Sequence, residues 1–600
     1  MRVLASRLRF VLSAIAAFAA TGAVDADGPP PDEPLEFRLI PVASITRGNS
    51  DFIPERGPLP TGADAVNDEA NPLFGGEGEE PWKPYGSVED VVELVKSHAE
   101  TGTWDREGSG FLISSLGSNH LAVRATRPVL DEADAYLAAL EADALSTVVI
   151  DAMALSGTWG ATSAEGGLPG ALSRGEVRVL SGVRTSARSG QRVTAFSGEE
   201  SLYVADHDVE VAQNAATTDP ILLVLKEGLC LDVRPTVVGD RVTLEVQPWL
   251  ARVDALDRKA TAHGDGFEVV TVDARSCVST LLKVTPGEWS VVPSSGDVSF
   301  AFRVTVHRVA VRGPTESFPA FVASTTTGSL EPRTWDVADL WQKVAHHRGG
   351  DLHLKPSNYT PPEPPELREP EPFLGADTLV EALKESVDLA AWSREGASLE
   401  TTRNRLLSRT DDAHARGIEA LLAHLRREFV RAHRIDARVV SLPLSSLPEY
   451  ATGLDDVTDP DSRPGATVLG RASVRIAGNQ RSAEVNGRER AYVGEYDVEI
   501  AEGAEIGNPI VKHAFEGISF DVDAVLASGG TALSCEIRWD RSTWRGQRAF
   551  PTRHGDVDLP TLGLESVRGA CVIPIGGTRI VSATTDGDRV VLVLVTASEG

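Results

Sequence analysis

Positive charge is scarce in this chain: 58 Lys and Arg stand against 87 Asp and Glu, a formal net charge of −29. A surface of that sign repels a phosphate backbone and no Lys/Arg cluster offsets it, which excludes nucleic acid as a partner. The charge reads instead as a solubility device. Cysteine is rare too, four in 600 residues, and the absence of Cys-x-x-Cys removes the common zinc-site patterns. Aromatic residues make up 6%, few for the aromatic girdles of a transmembrane β-barrel. No run reaches the roughly 18 apolar residues of a membrane-spanning helix. Gly-x-Ser-x-Gly, His-Glu-x-x-His, Walker and Rossmann patterns are all missing. Nothing marks the chain as an enzyme, and no cofactor or metal site is expected.

What is present suffices for two to four globular domains, with 42% hydrophobic residues. Residues 1–26 have the form of a secretory signal: Arg2, Arg7 and Arg9, a short apolar run over 10–20, and small residues for cleavage after Ala23 or Ala26. Export is expected. The first cysteine is Cys230, so no lipid-anchor cysteine stands at that cleavage site.

The chain is organised around a repeat. Residues 198–233, GEESLYVADHDVEVAQNAATTDPILLVLKEGLCLDV, return without a gap as residues 487–522, GRERAYVGEYDVEIAEGAEIGNPIVKHAFEGISFDV, with 15 identities in 36 positions. Tyr203 and Tyr492, Pro220 and Pro509, Asp232 and Asp521 all stand 289 apart. The shared residues are apolar, Gly, Pro and acidic, so they specify a fold rather than a reaction.

In chain order, residues 27–86 are rich in Pro, Gly and acid around one apolar stretch, EFRLIPV, read as a first strand. The GGEGEE piece at 75–80 resembles a phosphate loop only superficially, since its carboxylates would repel phosphate. Over 87–145, helical spacing at 88–97, β-like runs at 111–116 and 120–126, and a helix capped by Thr126 with Pro128 in its first turn complete a β-α-β-β-α unit. Residues 146–311 read as all β. Residues 312–375 connect, with TWDVADL in the place of the first strand and a seven-proline loop over 351–375. Residues 376–431 repeat the small unit, with a helix at 377–387 and a second helix capped by Thr410. Residues 432–600 repeat the β domain and end on VVLVLV at 590–595, suited to a buried strand. The expected class is α+β: two copies of a small βαββα module, each followed by a mostly antiparallel β domain.

HLAVRATRPVLDEADAYLAAL at 120–140 resembles the strand-then-helix passage of the ring-building modules of bacterial secretins, outer-membrane proteins of secretion and pilus systems. The secretin core is similar to three passages of the first copy: residues 177–200, 227–248 and 269–292. LPTLGLESVRGACVIPIGG at 559–577 and VVLVLVTA look like the corresponding tail in the second. The family's pore-region passage, GGL followed by VPlLGdIPlLG, has no counterpart. The resemblance implies a duplicated, divergent relative in the periplasm or cell envelope, with the outer membrane as an alternative location. Its work would be protein–protein assembly, including self-association through β edges and βαββα modules, with peripheral or no membrane contact. An outer-membrane pore component and a soluble periplasmic ligand- or peptide-binding protein are the alternatives. The hairpin over 193–225 carries Glu199, Glu200, Asp206, Asp208, Glu210 and Asp219, and its apolar face is too short to cross a bilayer.

Among candidate sites, Cys230 and Cys277 in the first copy and Cys535 and Cys571 in the second are expected to form one disulfide per copy. His346, His347, His353 and Asp351 crowd one stretch, Asp206-His207-Asp208 alternates along a strand, and Asp455, Asp456, Asp459 and Asp461 make an acidic turn. All three read as solvated polar segments rather than metal sites. Trp104 and Trp392 recur after the first helix of each copy and read as packing residues.

Overall fold

In the computed structural model of the protein, residues 34–52, 85–99, 104 and 111–600 are described, apart from residue 49 and short stretches of the last range, the longest being 356–370. The signal-like residues 1–26 lie outside them. The chain is mostly antiparallel β, in several sheets.

It opens with Leu35–Pro41 (β1), Ala43–Thr46 (α1), Val88–His98 (α2), Leu112–Leu116 (β2), His120–Thr126 (β3) and Arg127–Ala144 (α3). Ser87 starts α2 with a reciprocal cap, its hydroxyl accepting from the Asp90 N–H while the Asp90 carboxylate accepts from the Ser87 N–H. Thr126 occupies the cap position of α3 as expected, but its side chain makes no capping bond; Pro128 sets the first turn. Helices α2 and α3 cover one face of the sheet through Val91, Val95, Leu130 and Leu137, packed on Ile40, Leu121 and Val123.

The first β region comprises Thr147–Ser156 (β4), Gly167–Ser173 (α4), Arg178–Arg188 (β5), Val193–Ala212 (β6), Ala215–Val238 (β7), Arg241–Ala260 (β8), Gly266–Ser276 (β9), Ser279–Val284 (β10), Trp289–Pro293 (β11) and Val298–His307 (β12). The all-β expectation for 146–311 missed α4. Phe318–Pro319 (β13) then returns to the edge of β1.

Next come Glu331–Asp336 (β14), the ribbon of Lys343–Val344 (β15) and Glu371–Pro372 (β16), Ala376–Ser386 (α5), Ser398–Thr402 (β17), Arg405–Thr410 (β18) and Asp412–Phe429 (α6). Asp411, not Thr410, caps α6: its carboxylate accepts from the N–H groups of Ala413 and His414. Its Oδ1 accepts both bonds, and the carboxylate's charge suits the positive helix end. The sheet β14-β18-β17 buries Leu399 and Leu406 against α5 and α6. The same apolar cluster takes in Phe37, Leu39, Leu116 and Ala122 from the other face of the β1 sheet, so that sheet is covered on both sides.

The last region holds Ala432–Pro443 (β19), Glu449–Thr452 (α7), Thr467–Ala477 (β20), Arg481–Ala501 (β21), Ala504–Leu526 (β22), Ala532–Pro551 (β23), Asp556–Pro574 (β24), Thr578–Asp586 (β25) and Arg589–Glu599 (β26). Two large sheets run through both β regions. One has the order β10-β8-β7-β6-β24-β23-β22-β21, with β9 also paired to β8; the other has the order β11-β12-β4-β5-β25-β26-β19-β20. They stack face to face. Val148, Ile150, Leu231, Leu244 and Phe300 fill the first half of the interior; Ile435, Phe520, Ile537, Trp539 and Val593 fill the second.

The halves agree down to their irregularities. The β6–β7 ladder slips between Val204 and Asp206, and the β21–β22 ladder between Val493 and Glu495, 289 positions on. The β8–β9 slip at Val253/Ala255 has its counterpart in β23–β24 at Trp544/Gly546. The matched glycines account for part of the repeat. Gly198 faces Gly228 and Gly487 faces Gly517, and a Cβ on Gly228 or Gly517 would stand 2.2 or 2.3 Å from a carbonyl oxygen of the partner strand. Only hydrogen fits there.

Candidate assembly surface

Both sheets are continuous because the halves join edge to edge. Strand β6 pairs with β24 from Thr194↔Arg568 to Ser201↔Thr561, and β5 meets β25 at Val183↔Thr584 and Arg184↔Ala583. The Ser197 hydroxyl donates to the Thr585 carbonyl at 2.9 Å, and the Gly182 N–H donates to Thr585 Oγ1 at 2.6 Å. Arg184 and His307 both reach Asp455. Burial opposes charge on Asp455, but the His307 hydrogen bond and Arg184 outweigh it and hold the carboxyl below the ordinary range. A cleft of about 400 Å³ lies along this seam, floored by Gly198, Gly228 and Gly563 and walled by Arg541, Arg545 and Glu565. Arg541 and Glu565 bind each other at 2.8 Å, beside the apolar side chains of Leu180, Leu250 and Leu564.

The join is head to tail. β6 leads the long hairpins of the first half, and its counterpart in the second, β21, ends the sheet with no further strand beside it among the described residues, its first residue Arg481 alone being met there by His346 and His347. β24 closes the second half, and its counterpart, β9 with β10, ends the sheet at the other side. Each molecule therefore presents two different open edges, the arrangement that templates strand addition. Over the first of these edges, Val485, Asn486, Gly487, Arg488 and Glu489 are exposed.

A strap crosses the outer face of the larger sheet and the seam. The His347 N–H donates to the Arg481 carbonyl at 3.0 Å, the Gly349 N–H to Asp521 Oδ2 at 3.2 Å, and the Leu354 N–H to Glu200 Oε2 at 2.9 Å. Leu352 is buried with Phe196, Cys230 and Leu564. His353 Nδ1 and Lys226 Nζ lie 2.7 and 2.8 Å from Glu200 Oε1. Glu200 is fully buried, which disfavours its charge, yet His353 and Lys226 together hold its carboxyl below the usual range.

The expected site residues separate accordingly. His353 clasps the seam and His346 Nδ1 takes the Arg481 N–H, while Asp351 lies outside the described residues. Asp206, His207 and Asp208 stay on β6, where His207 Nε2 contacts the Gly266 carbonyl at 2.7 Å. Asp455 pairs with Arg184 and Asp461 with Arg438; Asp459 adopts a left-handed turn conformation, and Asp456 is outside the described residues. Among the described residues, no three His, Cys, Asp or Glu side chains converge on a metal position. Trp104 is buried with its indole N–H on the Ala99 carbonyl, and Trp392 is partly buried against the α5–α6 core.

Cys230, Cys535 and Cys571 are buried free thiols in this structure. Cys535 and Cys571 sit directly opposite each other on β23 and β24. Burial raises both thiols, Cys571 to about 12. Cys277 lies outside the described residues; its neighbour Ser276 pairs with Trp249, which in turn pairs with Cys230. Composition and spacing do not reveal the buried ion pairs Arg192–Asp232 and Arg481–Asp521. Only the 289-residue offset, extended back to Gln191-Arg192 and Gln480-Arg481, points to them.

No protein-family model and no curated protein matches this chain. Solved structures it is similar to are secretins. The secretin domain of InvG from the Salmonella injectisome aligns at 12% identity over 46% of this chain and 88% of that one, with a TM-score of 0.23. The type II secretin GspD of Escherichia coli aligns at 9% identity over 94% and 90%, TM-score 0.22. The Klebsiella pneumoniae type II outer-membrane complex aligns at 10% identity over 97% and 77%, TM-score 0.21.

Proposed function

We propose that the chain is an exported, non-enzymatic, secretin-related envelope protein that works by protein–protein assembly, built from a duplicated βαββα module and β domain. The observation that carries this is the seam: two β units of the same strand order join head to tail, leaving complementary edges open at both ends. Long unpaired edges are a hazard in a protein that works alone and are used where chains add to one another. Arg541 and Glu565 in the seam cleft bind each other, which speaks against a ligand-binding protein, whose pocket keeps its few polar groups free to orient a ligand.

A pore is the second reading because strands β6, β7, β8 and β21 to β24 run 19–24 residues, longer than the roughly 9–11 a membrane strand needs. Against it, the distal halves of these hairpins bury their apolar residues on one another. Leu202, Val204 and Leu222 pack with Tyr492, Tyr496, Phe550 and Leu559, while Tyr203, Leu223 and Leu225 pack toward β8 and β9. That draws much of their apolar surface away from lipid, while Val209, Val269, Ile510 and Val511 stay exposed.

Fractionation of cells expressing the tagged full chain, followed by chemical cross-linking, tests the proposal. The expected result is envelope protein released without detergent and captured in protein adducts. A chain recovered from the envelope with no adduct, or retained in the cytoplasm, would overturn it. A large detergent-dependent ring would favour the pore.

A further inference from the structure

Resting on that assembly reading, we propose that the trench beneath the strap is a recognition site for an extended segment of a different protein, one with a basic residue between two leucine-like side chains. Residues 352–354 occupy the trench in cis until such a segment displaces them.

The strap is seated as a bound peptide would be. None of its described residues belongs to a strand; it holds the sheet through side-chain sockets and single hydrogen bonds. Leu352 is buried over Phe196, Cys230 and Leu564, with Trp249 and Phe515 partly buried against the same cluster. Leu354, two residues on, fills a second socket with Leu202, Val204 and Tyr492. Between the sockets lies the fully buried Glu200, whose Oε1 meets His353 and Lys226 and whose Oε2 accepts the Leu354 N–H. Apolar anchors at alternate positions, one main-chain N–H and a cation between the anchors are what an extended segment offers. Side-chain pockets joined to main-chain bonds are how such segments are read.

Covering a sheet does not call for this chemistry. A buried carboxylate is costly to desolvate, and an apolar side chain in its place would cover the face as well. The second half shows the plain cover. The residues 289 positions after Phe196, Glu200, Lys226 and Cys230 are Val485, Glu489, Phe515 and Ser519. There Val485 and Glu489 are exposed, and the strap passes as Gly349, on which a Cβ would stand 2.6 Å from Ser519 Oγ. Two sockets around a buried anion therefore belong to the first half alone.

The strap is also able to leave. Gly349 and Gly350, just before it, form a flexible joint. Lifting Leu352 and Leu354 leaves Glu200 beside Lys226 at 2.8 Å rather than alone, so the open trench keeps its charge paired. A net charge of −29 around it favours an incoming segment that is basic.

The probe is a labelled, acetylated peptide of residues 349–355, GGDLHLK, added to the full chain at about pH 6, where a free imidazole is largely protonated. The tethered strap competes at an effective concentration of about millimolar, so the parent chain should bind the probe weakly. A chain carrying Leu352→Ser and Leu354→Ser, which empties the sockets and keeps their walls, should bind it at least about tenfold more tightly. Adding Glu200→Gln should remove most of that gain, and a probe with serine in place of both leucines should bind neither chain. The parent chain gives a second readout that needs no variant. Excess probe should speed hydrogen exchange of the strap's own Leu354 amide and leave the amides of β6 and β7 unchanged.

A folded serine-substituted chain that binds the probe no better than the parent would overturn the inference, as would a Leu354 amide indifferent to the probe. Protein adducts in cells would then leave the assembly reading standing. Probe binding by a chain that gives no adduct in cells would support the trench and remove the assembly reading.

Discussion

Arg192 reaches across the β6–β7 hairpin to Asp232, its Nε 2.8 Å from Oδ1 and an Nη on Oδ2, and Arg481 binds Asp521 in the same way 289 positions later. Both residues of the first pair are about 5% exposed, whereas Arg481 is 14% exposed. Removing one partner of a buried pair leaves the other charge without compensation. Asp232→Ala is expected to destabilise the fold by about 3–5 kcal/mol, and Asp521→Ala by less, because Arg481 keeps more access to water. Denaturant unfolding followed by circular dichroism checks the order; equal effects would contradict it.

The opposed glycines make a sharper prediction. Gly228 has φ +126 and no room for a Cβ, and Gly517 has none either, whereas a methyl on Gly287 (φ +85) would meet nothing within 4 Å. Gly228→Ala and Gly517→Ala should abolish soluble folded protein. Gly287→Ala should cost only the left-handed strain of about 1–2 kcal/mol. Soluble yield and melting temperature separate the three.

Acid should loosen the contact between the two small α/β layers. His120 is buried against Phe429, ring centroids 4.3 Å apart, and neither ring nitrogen has a hydrogen-bond partner. Burial, then the nearby His424, lowers it to about 3. A histidine depressed from 6.5 favours folding above its unfolded value, and that contribution is lost as pH falls from about 6.5 toward 3. His120→Phe should flatten this acid limb of a melting-temperature profile; an unchanged limb would show that other groups set it.

Asp219 has the opposite sign. It lies near Asp208, its pairing partner across the hairpin, and near Glu495 of β21. Burial first, then Glu495 and Asp208, raise it to about 7. Its protonated form favours the packed hairpins, a contribution present below pH 3.8 and lost as pH rises through 7. In Asp219→Asn the melting temperature should fall less between about pH 5 and 8 than in the parent chain.

The direct opposition of Cys535 and Cys571 places them within the span a disulfide needs. Non-reducing peptide mapping of the exported protein is expected to find them joined. Closing a loop of about 35 residues should add about 3–4 kcal/mol if the gain comes from chain entropy, seen as a lower melting temperature after reduction. The same map tests the Cys230–Cys277 pairing.

Much of the architecture was legible because hard constraints repeat. Gly198 and Gly228 recur since only hydrogen fits between those strands, and Val590 to Val595 reads as a core strand because it is apolar on both faces. Strands at β2, β3 and β4 and helix α2 follow from periodicity and caps. What stayed hidden depends on contacts between distant segments. Nothing local says that β6 joins β24, since either edge of either half is an equally good strand. His353 looks like a loop histidine until Glu200, far away in sequence, is placed beneath it. The Thr410 assignment failed because Asp411, one residue on, is the stronger cap. Helix α4 is too short for periodicity to register.

The pairing of β6 with β24 also has a consequence in time. Ser201 and its partner Thr561 are 360 positions apart, so the first edge is made long before the strand that covers it. At roughly 5–20 residues per second of synthesis, that interval is about 20–70 s. Throughout it the nascent chain carries an uncovered strand rich in backbone donors and acceptors, open to any other nascent copy. Biogenesis is therefore where this molecule is most exposed to wrong pairing, and an escort that masks β6 until the C-terminal half arrives would protect it most.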